Sequence, residues 1–289
     1  MPVPRLCYFN GSVMPVEKAS VNIEDRGYQF GDGVYEVIRV YHGKPFAMRR
    51  HLMRLSRSLK AIRMDFPDLE QSLHKVAEQL IRDGKIEHGY VYLQVTRGAA
   101  PRDHLFPLAP LPPVLSATIT PCPLRTPEQF EQGGKAVILS DDRWLHCNIK
   151  SLNLLPNVLA KDEARRRGAD EAVLARDLHT VTEGASSNVF IVRDGIVFTH
   201  PDGPLILPGI TKEIVLEIAG ELNITVCQQP FTVGQLRQAD EVFITDTIHE
   251  VHPIVAMDGI KIGDGAAGPV ARALQNAFTE YWHDTIAGE

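Results

Sequence analysis

Lys150 stands among residues that would leave a charged amine little contact with water. Aromatic and aliphatic residues precede and follow it: Trp144, Leu145, Ile149, Leu152, Leu154 and Leu155. Burial disfavours the charged form of an amine, so an apolar setting can lower the pKa of a lysine towards neutrality. A neutral amine can attack a carbonyl group and form a Schiff base. Lys150 is therefore a candidate nucleophile; the alternative is a side chain that reaches water from a half-buried strand end.

Two further segments offer groups that such chemistry can use. Glu183 is a lone carboxylate among small hydroxyl residues, directly before an apolar strand. The Pro208-Gly209 turn opens a predicted helix, and the free backbone N–H groups at Ile210 and Thr211, with the Thr211 hydroxyl, would bind a phosphate. Plain helix or turn capping is the alternative for each segment taken alone.

Other polar residues are placed where they could hold an anion. Tyr35 lies on a predicted strand after the glycine-rich stretch 26–33, which lacks the Gly-Lys-Ser/Thr ending of a phosphate loop and predicts a bend with close backbone approach. Arg102 and His104 lie one residue apart on a proline-flanked loop, an arrangement suited to a carboxylate or simply an ordinary polar loop. Arg54 borders the apolar stripe of a predicted helix, so it is a surface residue or reaches inward to an anion.

Antiparallel sheet and helices are predicted in both halves of the chain. Asn-Gly and Asp-Gly pairs accept the positive φ angles of two-residue hairpin turns, and three such pairs follow strand-like segments: Asn10-Gly11, Asp194-Gly195 and Asp258-Gly259. Helical spacing of apolar residues predicts helices over 48–62 and 69–84. Further helices are predicted with Pro156 in a first turn, after Gly209, and at the C-terminal end.

A proline-rich stretch predicts a domain boundary. Pro121, Pro123 and Pro127 exclude a regular helix or central strand there. We therefore predict a smaller N-terminal α/β domain over 1–121, a linker over 122–128 and a larger C-terminal domain over 129–289. A chain of 289 residues is long enough for two modest domains with a cleft between them.

Composition argues against several other classes of protein. The net charge of -6 arises from 30 basic and 36 acidic residues without a long run of either sign, which argues against a nucleic-acid partner. The four cysteines are scattered and form no C-x-x-C pair, which argues against zinc and secretion. His249 and His252 lack H-E-x-x-H spacing, so no metal site is predicted. No targeting or membrane-spanning segment is recognisable, and we expect a cytoplasmic protein.

Taken together and in order, these segments resemble the fold-type IV pyridoxal-phosphate aminotransferases, and most closely the D-amino-acid aminotransferases among them. The resemblance covers nearly the whole chain and is most specific in these segments: 24–37, 101–104, 142–144, 149–155, 181–184, 186–190 and 209–211. It implies an α+β fold of two domains, each a mainly antiparallel sheet with helices. Pyridoxal 5'-phosphate would lie in the cleft between the domains, bound mainly by the C-terminal one.

The resemblance also implies a role for each candidate residue. Lys150 matches the lysine that bonds the cofactor's aldehyde and then moves the proton between Cα and C4′, and Glu183 matches the carboxylate facing the pyridine nitrogen. The remaining cofactor-binding positions are a phosphate cup and a residue against the ring's back face: Arg54, Ile210, Thr211 and Thr247 for the cup, and Leu207 for the ring. The positions that match the grip on the substrate α-carboxylate are Tyr35, Arg102 and His104. In a homodimer, the loop with Arg102 and His104 would complete the partner's site.

The expected activity is transfer of an amino group from a D-amino acid, such as D-alanine, to a 2-oxoacid, such as 2-oxoglutarate. Alternatives within the fold are a branched-chain L-amino-acid aminotransferase and an aminodeoxychorismate lyase; a non-catalytic cofactor-binding protein is an alternative of another class. The sequence departs from its relatives at Ala185, and at Asp246 and His249, where small hydroxyl residues are usual. Asp246 would repel a phosphate unless it points away, and His249 could alter the pocket.

Overall fold

The chain packs into two compact units. A computed structural model describes residues 6–288. Of the described residues, the first unit contains 6–124 together with Ile149–Asn153, and the second contains Arg125–Asn148 and Leu154–Gly288. The short segment around Lys150 therefore packs with the N-terminal part of the chain, although it lies within the C-terminal part of the sequence. The boundaries predicted from the prolines stay a prediction.

The first unit is a six-stranded antiparallel sheet with two long helices. Its strands are β1 (Leu6–Phe9), β2 (Ser12–Pro15), β3 (Gly33–Tyr41), β4 (Lys44–Pro45), β5 (Gly89–Thr96) and β6 (Val114–Pro121), in the order β2-β1-β6-β5-β3-β4. Its helices are α1 (Arg26–Phe30), α2 (Met48–Ala61) and α3 (Leu69–Gly84), with a 3-10 turn at Val16–Lys18. The apolar faces of α2 and α3 pack with β3, β5 and β6 into one core. The predicted helices over 48–62 and 69–84 are thereby confirmed.

The glycine-rich stretch before β3 is more regular than the predicted bend. It contains α1, because the Asp25 carboxylate accepts hydrogen bonds from the N–H groups of Gly27 and Tyr28 and caps the helix. The predicted close backbone approach is present at Gly33, where a Cβ would overlap with the Val95 carbonyl oxygen, and a Cβ on Gly27 would overlap with Cγ2 of the Thr96 side chain. Gly27 therefore lets α1 lie directly against the end of β5.

The second unit is built on a ten-stranded, mainly antiparallel sheet. Its strands are β7 (Gly134–Ser140), β8 (Glu171–Arg176), β9 (Thr180–Gly184), β10 (Asn188–Arg193), β11 (Ile196–Thr199), β12 (Val226–Gln228), β13 (Phe231–Thr232), β14 (Glu241–Asp246), β15 (Glu250–Met257) and β16 (Ile260–Lys261). Their order is β12-β11-β10-β14-β15-β7-β8-β9-β13, with β16 paired to β15. The pairs β11–β12, β15–β7 and β7–β8 are parallel, and the other pairs are antiparallel.

Five helices accompany this sheet: α4 (Pro127–Gln132), α5 (Leu155–Arg166), α6 (Ile210–Glu221), α7 (Val233–Arg237) and α8 (Pro269–Gly288). Pro156 lies in the first turn of α5 and α6 begins directly after Gly209, as predicted. Pro127, one of the three prolines from which we predict no regular helix here, is instead the first residue of α4, since Thr126 caps that helix with a capping box. Within residues 6–288, no helix is both long and apolar enough to cross a membrane.

All three predicted hairpins are present. Their closing pairs are Phe9↔Ser12, Arg193↔Ile196 and Met257↔Ile260, so each turn has two residues. Both residues of each turn have positive φ, which is why Asn-Gly and Asp-Gly occupy these positions. A fourth two-residue turn, His42-Gly43, joins β3 to β4 and was not predicted.

Candidate active site

The backbone around Lys150 is fixed by β3 on one side and α2 on the other. The Lys150 carbonyl accepts a hydrogen bond from the Tyr35 N–H at 3.0 Å, and the Lys150 N–H donates to Ser58 Oγ at 3.1 Å. Ser151 forms an isolated bridge with Val34, so the segment extends the sheet alongside the start of β3. Lys150 is therefore held by the core of the first unit, which limits where its side chain can go.

The Lys150 amine lies over an aromatic face built by β3 and β5. Its Nζ is 4.4 Å from the centroid of the Tyr35 ring, and this ring stacks on Tyr92 at 5.6 Å. Burial, with Tyr35 nearby, raises the pKa of the Tyr92 hydroxyl, so it stays protonated and donates to Gln94 Oε1 at 2.8 Å. Tyr35 and Val37 share the less buried face of β3, as predicted from strand alternation. The structure thus brings Lys150 and Tyr35 together.

Arg54 is buried in the first unit and paired with a carboxylate on the opposite face of β3. Its Nε and Nη2 donate to the two oxygens of Glu36 at 2.7 and 2.8 Å, and His51 Nδ1 lies 2.8 Å from Glu36 Oε2. Burial alone would raise the pKa of Glu36, but Arg54 and His51 outweigh it and hold that pKa below its usual range. Arg54 is one helical turn from Ser58, so α2 presents this guanidinium on the side that holds Lys150.

Arg102 and His104 lie together on an exposed loop of the first unit. The Arg102 guanidinium is 4.5 Å from the centroid of the Phe30 ring, and the His104 ring is 5.5 Å from the same ring. Arg26, which is buried, donates to the carbonyl of Asp103 at 2.7 Å and holds the loop. Within residues 6–288, no hydrogen bond, ion pair or ring contact joins Arg102 or His104 to Tyr35 or Lys150. The loop therefore presents both side chains to solvent in the single chain.

Glu183 lies at the end of β9 in the second unit, where several donors converge on its carboxylate. Arg143 Nη1 donates to Oε1 at 2.6 Å, and the Leu207 N–H donates to Oε2 at 2.8 Å. Asn188 Nδ2 lies 3.3 Å from Oε2 and also donates to the Leu207 carbonyl at 2.9 Å. Glu183 and Leu207, two predicted site residues, are therefore brought together.

The electrostatics of this cluster leave Glu183 close to the boundary between its two protonation states. Burial raises the pKa of Glu183 to about 7, although Arg143 and the Leu207 N–H act in the opposite direction. Arg143 also donates to both oxygens of the buried Asp141, at 2.8 and 2.9 Å. Its charge is thus shared between two carboxylates, and Glu183 receives only part of it.

The start of α6 offers backbone N–H donors that no side chain caps within residues 6–288. Gly209 precedes the helix and supplies no side-chain cap to the N–H groups of Ile210 and Thr211. A Cβ at Gly209 would overlap with Asn188 Oδ1, so the glycine lets the helix start pack against the Asn188 that binds Glu183. Thr245 is paired with Asn188 across β10 and β14, and its buried Oγ1 has no hydrogen-bond partner within residues 6–288.

Thr247 lies in the turn after β14. Asp246 and His249, two positions at which the sequence differs from its relatives, shape this turn. The Asp246 carboxylate accepts hydrogen bonds from the N–H groups of Ile248 and His249 at 2.6 and 2.8 Å, and its other oxygen is 2.8 Å from His249 Nδ1. Asp246 therefore closes the turn, and its negative charge is partnered by His249. No hydrogen bond of the Thr247 side chain occurs in the described part of the chain.

Several residues of these clusters were not assigned from the sequence. They are Glu36, His51, Asp141, Arg143, Asn188 and Thr245. Glu36, Arg143 and Asn188 lie within the segments that carry the family resemblance, which is the one feature of the sequence that could have pointed to them. The partners of Glu36 and Asp141 depend on packing between separate elements, which spacing along the chain does not reveal.

Comparison with known proteins identifies the family of this chain. The family model for class IV aminotransferases matches residues 33–257. The chain belongs to the class IV aminotransferases. This confirms the resemblance inferred from the sequence and the fold that it implied.

Individual class IV aminotransferases resemble the chain over almost its full length. The D-alanine aminotransferase of Staphylococcus epidermidis is 44% identical over 95% of this chain and 96% of that protein. The D-alanine aminotransferase of Listeria monocytogenes is 45% identical over 94% of each chain. Among solved structures, the Escherichia coli branched-chain amino acid aminotransferase has a TM-score of 0.88 at 29% identity and covers 97% of this chain and 95% of its own.

Class IV aminotransferases depend on pyridoxal phosphate, and the groups described here fit that cofactor. Lys150 supplies an amine, Glu183 supplies a carboxyl group that exchanges its proton near neutral pH, and the uncapped start of α6 supplies N–H donors. Thr245 Oγ1 is a buried hydroxyl left without a partner in residues 6–288, which is unusual in a folded protein unless a ligand or water satisfies it. The chemistry of this donor set matches an aldehyde, a ring nitrogen and a phosphate.

Proposed function

We propose that the protein moves the amino group of a D-amino acid, such as D-alanine, to a 2-oxoacid, such as 2-oxoglutarate. The observation that carries this proposal is the 44–45% identity to D-alanine aminotransferases over 94–95% of the chain. The E. coli branched-chain aminotransferase reaches only 29% identity at similar coverage. A branched-chain L-amino-acid aminotransferase is the second candidate, favoured by the TM-score of 0.88 to that enzyme.

In this proposal, the first unit supplies the proton-transfer group and the substrate's partners. Lys150 Nζ would hold the cofactor's aldehyde in the protein without substrate and, as a free amine once the substrate's own amine has replaced it there, would carry a proton to and from the substrate Cα. The contacts of its backbone with Tyr35 and Ser58 fix the side from which the amine acts. Tyr35, Arg102 and His104 bind the α-carboxylate of the substrate, for which a guanidinium is a suitable donor. Arg54 binds phosphate, and Glu36 holds its guanidinium in place.

The second unit binds the cofactor's ring and phosphate. Pyridoxal phosphate, when bound, supplies an electron sink that stabilises negative charge developing at the substrate Cα. Glu183 holds a proton at the ring nitrogen, and Leu207 lies against the ring. Thr247 and the N–H groups of Ile210 and Thr211 bind the phosphate, which the positive end of the α6 dipole attracts.

The position of the carboxylate partners selects the enantiomer. A substrate whose carboxylate is fixed presents its Cα hydrogen to Lys150 from one side only, so moving the carboxylate partners to the other side would favour the opposite enantiomer. We also propose a homodimer in which the loop with Arg102 and His104 completes the partner's site. The exposure of both side chains in the single chain supports this assignment. The four scattered cysteines, free in the described part of the chain, support a cytoplasmic location.

The deciding experiment offers the purified, cofactor-loaded protein either D-alanine or L-leucine with 2-oxoglutarate as acceptor, and measures the new 2-oxoacid by chromatography. We expect turnover of D-alanine, no turnover of L-leucine above background, and no turnover of either by the Lys150→Ala variant. Lys135→Ala removes an exposed lysine of the second unit and is the matched control, which should keep full activity.

The other outcomes contradict the proposal in distinct ways. Turnover of L-leucine alone would assign the protein to the branched-chain activity. A cofactor absorption band that neither amino acid changes would indicate a non-catalytic cofactor-binding protein. Full activity in Lys150→Ala would refute the role of Lys150 whatever the substrate.

A further inference from the structure

Two histidines and a glutamate that belong to none of the clusters above meet at one end of the six-stranded sheet. His42 is the first residue of the β3–β4 turn, and Glu87 and His88 directly precede β5. The strands β3 and β5 are neighbours whose last pair is Val40↔Gly89, so the turn and the segment before β5 emerge side by side. The fold therefore gathers residues that are separated along the chain.

The backbones that carry these side chains are tied to each other. The Gly43 N–H donates to the Glu87 carbonyl at 2.8 Å. His42 Nδ1 lies 3.8 Å and His88 Nε2 lies 4.0 Å from Glu87 Oε1, and the two imidazole rings are 4.8 Å apart. One ligand atom from each residue lies within 4.8 Å of the other two. Small movements of these side chains would let all three ligand atoms bind one metal ion.

The ligand set has a definite chemical preference. Two imidazoles and one carboxylate suit zinc and neighbouring divalent transition metals, whereas magnesium and calcium prefer oxygen ligands alone. With metal–ligand distances of about 2.0–2.2 Å, ligand atoms of a tetrahedral ion lie about 3.4 Å apart. His42 and Glu87 can close that gap, since their side chains are 47% and 75% exposed and not packed in the core. Water can take the fourth position.

The protonation of His88 does not oppose binding. Its Nδ1 is 3.5 Å from the His42 N–H, at the outer limit for a hydrogen bond. If His88 binds a metal ion through Nε2, its ring proton must be on Nδ1. Nδ1 then no longer accepts from the His42 N–H, and this long hydrogen bond is weak.

We propose that His42, Glu87 and His88 bind one divalent transition-metal ion, with zinc as the representative ion, and that the ion fastens the β3–β4 turn to the start of β5. Sequence spacing predicts no metal site, because His42 lies in a different strand connection from the other two ligands. The ion would act on the stability of the first unit, since its ligands come from the two connections that border β3 and β5.

The test uses the untagged, full-length, cofactor-loaded protein in a competition titration with a chromophoric zinc chelator. We expect one zinc ion per chain bound at this site, and His42→Asn and His88→Gln should each raise its Kd by about tenfold or more. Asparagine is chosen because His42 has φ of 48°, which asparagine tolerates. His74→Gln is the matched control, because it removes an exposed histidine that also lies beside a glutamate, Glu78, on α3. The Kd of His74→Gln for zinc should equal that of the wild type.

A second readout examines the fastening role. Zinc should raise the thermal unfolding midpoint of the wild type and of His74→Gln, and leave that of His88→Gln unchanged. Glu87→Gln, on an exposed side chain, provides a further ligand variant should either histidine variant fold poorly. Absence of saturable zinc binding, or an equal Kd in the wild type and all ligand variants, would overturn the site. Zinc binding that depends on the histidines without raising the midpoint would overturn the fastening role.

Discussion

Glu183→Gln should change how the stability of the cofactor-free protein depends on pH. Burial raises the pKa of Glu183 from its ordinary value of 4.5 to about 7 in the folded chain. The folded state therefore binds this proton more tightly than the unfolded state does. In the range between these two pKa values the folded state holds more protons, so the free energy of unfolding falls as the pH rises. Glutamine has no proton to lose and lacks this dependence.

The magnitude follows from the two pKa values. Between about pH 5 and about pH 7.5, ionisation of Glu183 lowers the free energy of unfolding of the wild type by about 2 kcal/mol. The variant also loses hydrogen-bond quality, because an amide group now faces Arg143. That loss is the same at both pH values, so it cancels when the pH-dependent differences are compared. The free energy of unfolding of Glu183→Gln, relative to that of the wild type, should therefore rise by about 2 kcal/mol from about pH 5 to about pH 7.5.

Urea unfolding of the cofactor-free proteins, followed by far-UV circular dichroism at the two pH values, measures this double difference. Glu221→Gln is the control, since it removes an exposed carboxylate at the end of α6 in the same unit. The control should follow the pH dependence of the wild type. Parallel pH dependence of the wild type and Glu183→Gln would show that the Glu183 proton is not held more tightly in the folded chain, and the reasoning from burial would be refuted.

Two further substitutions test other contacts of the second unit. Asp246→Asn should cost about 1 kcal/mol by weakening the cap of the turn that carries Thr247. Burial opposes the charge of Asp246, but His249 lowers the pKa of Asp246, and Asp246 raises the pKa of His249. The lowered pKa of Asp246 contributes stability that is present above the unfolded pKa of Asp246 and is lost in acid. The raised pKa of His249 contributes stability that is present below the unfolded pKa of His249 and is lost as the pH rises through the folded pKa. Urea unfolding across pH should therefore show that Asp246→Asn loses the most stability above the unfolded pKa of Asp246 and below the unfolded pKa of His249. Gly209→Ala should cost about 1–3 kcal/mol, because its Cβ would overlap with Asn188 Oδ1, whereas Gly203→Ala, with no atom within 4 Å, should be nearly neutral in the same measurement.

The sequence predicted those parts of the fold that local interactions decide. The three hairpins follow from turn residues that accept positive φ, and α2 and α3 follow from apolar spacing. The helix α1 was missed because its cap, Asp25, is an ordinary acidic residue until the turn around Gly27 forms. The parallel pairs that join β7 to its neighbours were not predictable, since they link elements that lie far apart along the chain.

The same division applies to the candidate site. Lys150 and Glu183 stand out in the sequence because each is a charged residue in an apolar or uncharged stretch. Arg54 does not, since an arginine beside an apolar stripe is usually at the surface, and only the buried Glu36 explains its position. Arg102 could not be assigned from the single chain either, because its exposed guanidinium lies over Phe30 and has no anionic partner among residues 6–288.

Each unit contains a buried carboxylate paired with a guanidinium, and the two pairs differ in a way that bears on function. Glu36 receives two hydrogen bonds from Arg54, and its pKa is held below its usual range despite burial. Glu183 receives one hydrogen bond from Arg143, which donates two to Asp141, and burial raises the pKa of Glu183 to about 7. Glu36 is therefore a fixed anion suited to holding Arg54, whereas Glu183 can gain or lose a proton near neutral pH. In the proposed function Glu183 faces the ring nitrogen, and its pKa near neutral arises because burial raises it while one guanidinium is divided between two carboxylates.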